Sequence, residues 1–210
     1  MCKAPATGRE HVPPQCIFPE DAQYRKDLIT VPSCPEHNLG KSMGDEYMKF
    51  IVLCSGGTNE LVNPAFGSVI RSFVRRPDLL PKFTLNLREV SIGGQETAQI
   101  TLDYPRFQTW IESIVRGLFF HKTEGKCKLL GDVFSGIFWE QTLGDDDFKE
   151  RCREAIRKAR IPENYEGANP RVFQYAFDRR TLGKTSMCRL RFYEGDPIWI
   201  TWKNVNVHET

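Results

Sequence analysis

Glu10-His11-Val12-Pro13-Pro14 near the start of the chain, and Cys34-Pro35-Glu36-His37-Asn38-Leu39-Gly40-Lys41-Ser42 further on, are the stretches on which the reading turns. Between them, residues 27–34 (Asp-Leu-Ile-Thr-Val-Pro-Ser-Cys) form an apolar, β-branched run broken by a proline, which suits a short strand leading into a turn. Ser42 with Asp45 three residues later has the form of a capping box, and Tyr47, Phe50, Ile51 and Cys54 then recur at helical spacing. A helix is expected over residues 43–53. Taken singly, each stretch is weak: an acid beside a histidine is common at exposed strand ends, and a Cys-x-x-His loop is compatible with a free thiol and a solvated imidazole.

Working outward, 40% hydrophobic and 27% charged residues describe a folded chain, since disordered chains are poorer in apolar side chains. A length of 210 residues allows one large domain, or a small functional module followed by a domain of ordinary size. No apolar run approaches the roughly 18 to 20 residues that span a bilayer, and the first residues lack the apolar stretch of a secretion signal, so a cytoplasmic protein without a membrane partner is expected. Seven cysteines, an odd number scattered from Cys2 to Cys188, do not suit a disulfide framework. Metal binding is the sharper use for any that cluster. A net charge of +2 is too mild to argue for nucleic acid by itself, so the distribution of charge has to carry that case.

Beyond the first helix, the break at residues 55–58 leads to a second helix expected over 64–75. Residues 83–87 and 98–102 alternate apolar and polar positions around Gly93-Gly94 and predict a hairpin. Pro105 then opens the strongest helix, with Phe107, Trp110, Ile111, Ile114, Val115, Leu118 and Phe119 on one broad apolar face. A strand over 133–139, a basic helix from Asp145-Asp146-Asp147 to about Arg160, and strands over 172–177, 188–193 and 198–202 complete the expectation. The fold class predicted is α+β with mostly antiparallel strands.

Together and in order, the two opening stretches resemble the HNH (ββα-metal, treble-clef-like) endonuclease pattern. In that pattern an acid-His-apolar-x-Pro strand precedes a connecting strand and a Cys-x-x-Cys-[His/Asn]-x-x-Lys-Ser helix head. Glu10 to Pro14 match the first element, Leu28 to Val31 the connecting strand, and Cys34, His37, Asn38, Lys41 and Ser42 the last. More narrowly the chain is similar to bacterial HNH-like proteins, whose Asp-Glu-Tyr helix start is matched by Asp45-Glu46-Tyr47. The resemblance implies an N-terminal nuclease module over residues 1–54 and an α+β accessory region over 55–210. That region would hold substrate, form a homodimer or receive an activating protein partner.

It also implies roles. Hydrolysing a phosphodiester needs a base to activate water and a cation to neutralise charge on the scissile phosphate. His11 would be the general base, Glu10 and Asn38 would hold one catalytic Mg²⁺ or Mn²⁺, and Lys41 would steady the phosphate. Histidine suits the task because its unperturbed pKa near 6.5 leaves it neutral yet basic at cellular pH. The partner orienting its other ring nitrogen is not identifiable from sequence. Asp27 stands where the family usually has an asparagine. The family's structural zinc would here use Cys2, Cys34 and His37, with Cys16 or Cys54 as a candidate fourth ligand. The first Cys-x-x-Cys pair is broken.

Among the remaining residues, His121 ends a helix and suits its dipole, His208 reads as a solvated tail residue, and Cys127, Cys152 and Cys188 read as small buried hydrophobes. Lys149, Arg153, Arg157 and Arg160 recur at helical spacing and, with Arg9 and Lys41, could follow a phosphate backbone; the plain alternative is an ordinary solvated face. Arg71, Arg75 and Arg76 form another basic cluster. Two readings follow: a metal-dependent endonuclease acting on nucleic acid, DNA in preference to RNA, and a non-catalytic zinc-binding adaptor derived from the same fold. The first is favoured because the base and metal-ligand positions stand while only the structural zinc pair is eroded.

Overall fold

In the computed structural model the described residues are 5–36, 42–54, 59–130, 133–135, 154, 164–177, 187–202 and 206–209. The protein is a mixed α+β structure with small sheets. Strand β1 (Gly8–His11) runs antiparallel to β2 (Thr30–Ser33), with Glu10 opposite Val31 and His11 opposite Thr30. Pro32 stands in this ribbon opposite Arg9, a place open to proline because a two-stranded ribbon leaves one side of each strand unpaired.

Helix α1 (Ser42–Cys54) follows, then α2 (Val62–Arg75) and a single turn α3 (Leu80–Phe83). Both long helices start and stop close to where apolar spacing places them. The hairpin around Gly93-Gly94 is formed by β3 (Arg88–Ile92) and β4 (Gln95–Gln99). Both glycines take positive φ, at 59° and 80°, which the tight turn requires. The expected strand positions are corrected here: Phe83 belongs to α3, and the strands abut the turn instead of lying at 83–87 and 98–102. β4 is exposed along its whole length, so no buried face imposed the alternation that reading sought.

Helix α4 (Tyr104–Lys122) is the axle of the fold. Asp103 caps it by accepting from the Arg106 N–H at 3.2 Å, and its seven predicted apolar positions are all buried. It meets β2 and an antiparallel sheet of order β6 (Val133–Ser135), β9 (Ile198–Trp202), β8 (Met187–Phe192), β7 (Phe173–Phe177). Trp110 packs on Phe192 at 5.7 Å and Phe119 on Trp202 at 6.4 Å between ring centroids. A separate ribbon pairs β5 (Cys127–Leu130) with β10 (Asn206–Glu209). Backbone pairing thus places His208 in a strand opposite Lys128, where a tail was expected. The basic helix expected over 145–160 lies outside the described residues, save for Glu154, as does the end of the 133–139 strand.

Buried side chains from Val12 to Trp202 form one continuous cluster, which runs across position 54. No helix of the described residues is long and apolar enough to cross a membrane.

Candidate active site

Side chains on a strand alternate in direction, so Glu10 shares the face of Val31 and Ser33 while His11 shares that of Arg9, Thr30 and Pro32. The bonds agree. On the inner face the buried Ser33 hydroxyl donates to Glu10 Oε2 at 3.2 Å; on the outer face Arg9 Nε and Nη2 donate to Thr30 Oγ1 at 2.9 and 2.7 Å. Arg9 remains exposed, a cation held in place on the side to which His11 belongs.

His11 is the last residue of β1, and the next amide, of Val12, donates to Ile29 O at 2.9 Å, fixing the strand end against the connecting run. Asp27, two residues before Ile29, takes φ 52°, a left-handed conformation that Asn and Asp accept more readily than other side chains. At this end Glu10 and His11 come together around a small cavity of about 30 Å³, closed by Val12 and Val31 and by Ser113 and Ile114 of α4. About 30 Å³ is room for a water-sized group. His11 Nδ1 is buried and has no hydrogen-bond partner among the described residues.

The expected ligand sets are met only in part by the described residues. Glu10 offers a carboxylate, the hard oxygen that Mg²⁺ prefers, oriented by a hydroxyl behind it. Asn38 and Lys41 lie outside the described residues, as do Cys2 and His37 of the zinc set and Arg153, Arg157 and Arg160 of the basic stripe. Cys34 is buried directly after β2. Among the described residues no three His, Cys, Asp or Glu side chains converge as a metal site. Burial pushes the Cys16 thiol up to about 12, with the Asp45 carboxylate adding to it, and desolvation pushes Cys54 up to about 11. Cys54 also closes α1, about 18 Å along the axis from Ser42 at 1.5 Å per residue.

Asp45, Glu46 and Tyr47 each tie α1 to another element. Asp45 Oδ1 accepts from Trp110 Nε1 at 3.1 Å, the Tyr47 hydroxyl accepts from the Asp103 amide at 2.9 Å, and Glu46 pairs with Arg76 at 2.6 Å. Arg106 donates to Met43 O at 2.5 Å while lying 4.2 Å over the Tyr47 ring. No family model, curated protein or solved structure matches this chain.

The site therefore has to be argued from its own residues. Sequence reasoning missed its supports: Ser33 behind Glu10, Thr30 behind Arg9, and Ser113 and Gly117 of α4. Ser33 and Thr30 were within reach of strand alternation once the register of β2 on β1 was known. Gly117 was not, because its use depends on Val12 resting against it. His121 is exposed in the last turn of α4, where a helix end suits it, and Cys188 is fully buried.

Proposed function

We propose that this protein is an HNH-type endonuclease that hydrolyses phosphodiester bonds of nucleic acid, DNA in preference to RNA. The observation that carries the reading is the meeting of Glu10 and His11 at the end of β1, in an antiparallel ribbon that a helix follows. That strand, strand, helix order supports the finer fold reading, a ββα-metal unit over residues 1–54.

In this reading His11 takes the proton from a water whose oxygen attacks phosphorus, and the bond from phosphorus to the leaving oxygen breaks. Glu10 and Asn38 hold a divalent cation, which supplies neutralisation of charge at the scissile phosphate. Arg9, exposed one strand position from Glu10, meets the nucleic-acid backbone without reading sequence. Lys41 is assigned to the phosphate, and Arg153, Arg157 and Arg160 to flanking backbone. Cys2, Cys34 and His37 are assigned to structural zinc. Residues 55–210 supply the helix behind the ribbon and the surface for a homodimer or an activating partner.

The test is cleavage of supercoiled plasmid and of single-stranded RNA with Mg²⁺ or Mn²⁺, beside EDTA and His11→Ala. The mutation is expected to lower the rate about 10²- to 10⁴-fold with the melting temperature little changed. A His11→Ala protein that cuts normally overturns the base assignment. Metal-independent binding without cleavage in either protein favours the zinc-binding adaptor.

A further inference from the structure

A second cleft, of about 280 Å³, opens between α1 and α2 and uses none of the residues assigned to hydrolysis. Ser68, Arg71, Ser72 and Arg75 recur at three- and four-residue spacing on α2, so they form one stripe along the cleft wall. Lys49 reaches in from α1 and donates to Ser68 Oγ at 2.7 Å.

Charge is left uncompensated there. Arg76 and Lys82 nearby have carboxylate partners, Glu46 at 2.6 Å and Asp78 at 2.8 Å, but none lies within ion-pair distance of Lys49, Arg71 or Arg75 among the described residues. Of the two carboxylates at the cleft, Glu46 is taken by Arg76, and Glu20 stands exposed at the rim. Burial lowers the Lys49 pKa, with Cys16 and Glu20 opposing the fall and Arg25 and Arg71 adding to it. Like charges at i and i+4, as Arg71 and Arg75 are, destabilise a helix unless an anion lies between them.

We propose that this cleft is a binding site for the terminal phosphate of a small phosphomonoester, held by Lys49, Arg71 and Arg75 on a wall whose serine hydroxyls donate to Ala65 O and Ser68 O. Three cations can each meet an oxygen of a dianionic terminal phosphate, and arginine forks match its geometry. A carboxylate brings one negative charge to three cations, where a terminal phosphate brings close to two. An internal phosphodiester brings one charge and bulk on both sides, into a space already at the small end of ligand sites. A free metabolite and the 5′ end of a nucleic acid share this chemistry, and the oligonucleotide arm of the test separates them. The inference is independent of the nuclease reading.

The test is calorimetry and thermal melting of the full-length protein with adenosine 5′-monophosphate, inorganic phosphate, adenosine, and an oligonucleotide with or without a 5′-phosphate. Saturable binding of the monophosphate but not of adenosine is expected. Arg71→Ala with Arg75→Ala, both on exposed side chains, should weaken it about tenfold or more, as loss of charge-assisted bonds predicts. Lys49→Met, which keeps the length of the side chain, should do the same, and the ligand-free melting temperature of each variant reports whether it folds. Binding confined to the 5′-phosphorylated oligonucleotide, equal binding of adenosine, no binding at all, or folded variants that bind as the parent does would each overturn the proposal.

Discussion

Gly117, in the middle of α4, is where a single methyl decides the site. A Cβ there would lie 2.7 Å from Val12 Cγ2 and 3.1 Å from Cγ1. Alanine gains about 1 kcal/mol over glycine in a helix interior, while forcing a methyl into a packed core costs about 1 to 3 kcal/mol. Val12 is buried and β-branched, with little rotamer freedom to yield, so the clash wins. Gly117→Ala should lower stability by about 1 kcal/mol in denaturant titration, and it should lower cleavage further because Val12 is joined to His11. Val12→Ala added to it should restore part of both; simple additivity of the two mutations would show the contact to be soft. Cys16 makes a prediction in pH. Its thiol keeps its proton up to about 12 when folded, against 9.0 ordinarily, so above pH 9 the unfolded chain loses a proton that the folded chain retains. Stability therefore falls with rising pH across that window, by at most about 1.4 kcal/mol per unit from this group. Lys49, pulled the other way, adds stability as pH rises toward 10.5, so the comparison is with Cys16→Ala, which should lose the thiol's downward component. Identical slopes in the two proteins would remove Cys16 as its source.

Between elements, the head of α1 and the start of α4 are held by one clasp in which Tyr47 is central. Its ring is buried, its hydroxyl accepts the Asp103 amide, and Asp103 in turn caps α4. Tyr47→Phe leaves that amide without its acceptor and should cost about 1 to 3 kcal/mol, read as a shift in the denaturation midpoint. A loss below about 0.5 kcal/mol would mean that water replaces the hydroxyl and that the clasp is held by Arg106 and Trp110 alone. The helices themselves were legible in sequence because each buries a stripe: Ala65, Val69 and Phe73 in α2, Phe107 to Phe119 in α4. β7, β8 and β9 were legible as dense apolar and aromatic runs. β3 and β4 were misplaced because an exposed hairpin has no apolar period to find, and only Gly93-Gly94 marked it. β5 and β10 were missed for a related reason: each is four residues long and the two ends of the ribbon are remote in sequence. For the site, Glu10 and His11 were legible as a motif, but the face that each takes followed only from the register.

At the scale of the whole molecule, motif density divides the chain at residue 54 whereas packing joins it there. The segment between β1 and β2 lacks periodicity, and sequence gives no sign of what covers it. Tyr193 covers it from the other end of the chain, donating from its buried hydroxyl to Ile17 O at 2.5 Å, and Asn169 donates to Lys26 O at 3.1 Å. Val12 rests on Gly117, and Tyr47 reaches Asp103. Cut at residue 54, the first unit would expose Val12, Ile17, Phe18, Tyr47, Met48 and Ile51, which are buried in the common core. A chain of about 50 residues that leaves such a surface in water is too small to hold a fold by burial alone, and a metal clamp would act on the loops without covering it. A fragment of residues 1–54 should therefore show no cooperative melt by circular dichroism, with or without Zn²⁺, while the full chain melts cooperatively. A cooperative, zinc-dependent transition in the fragment would instead make the N-terminal unit an independent domain and reduce Tyr193, Gly117 and Asp103 to accessory contacts.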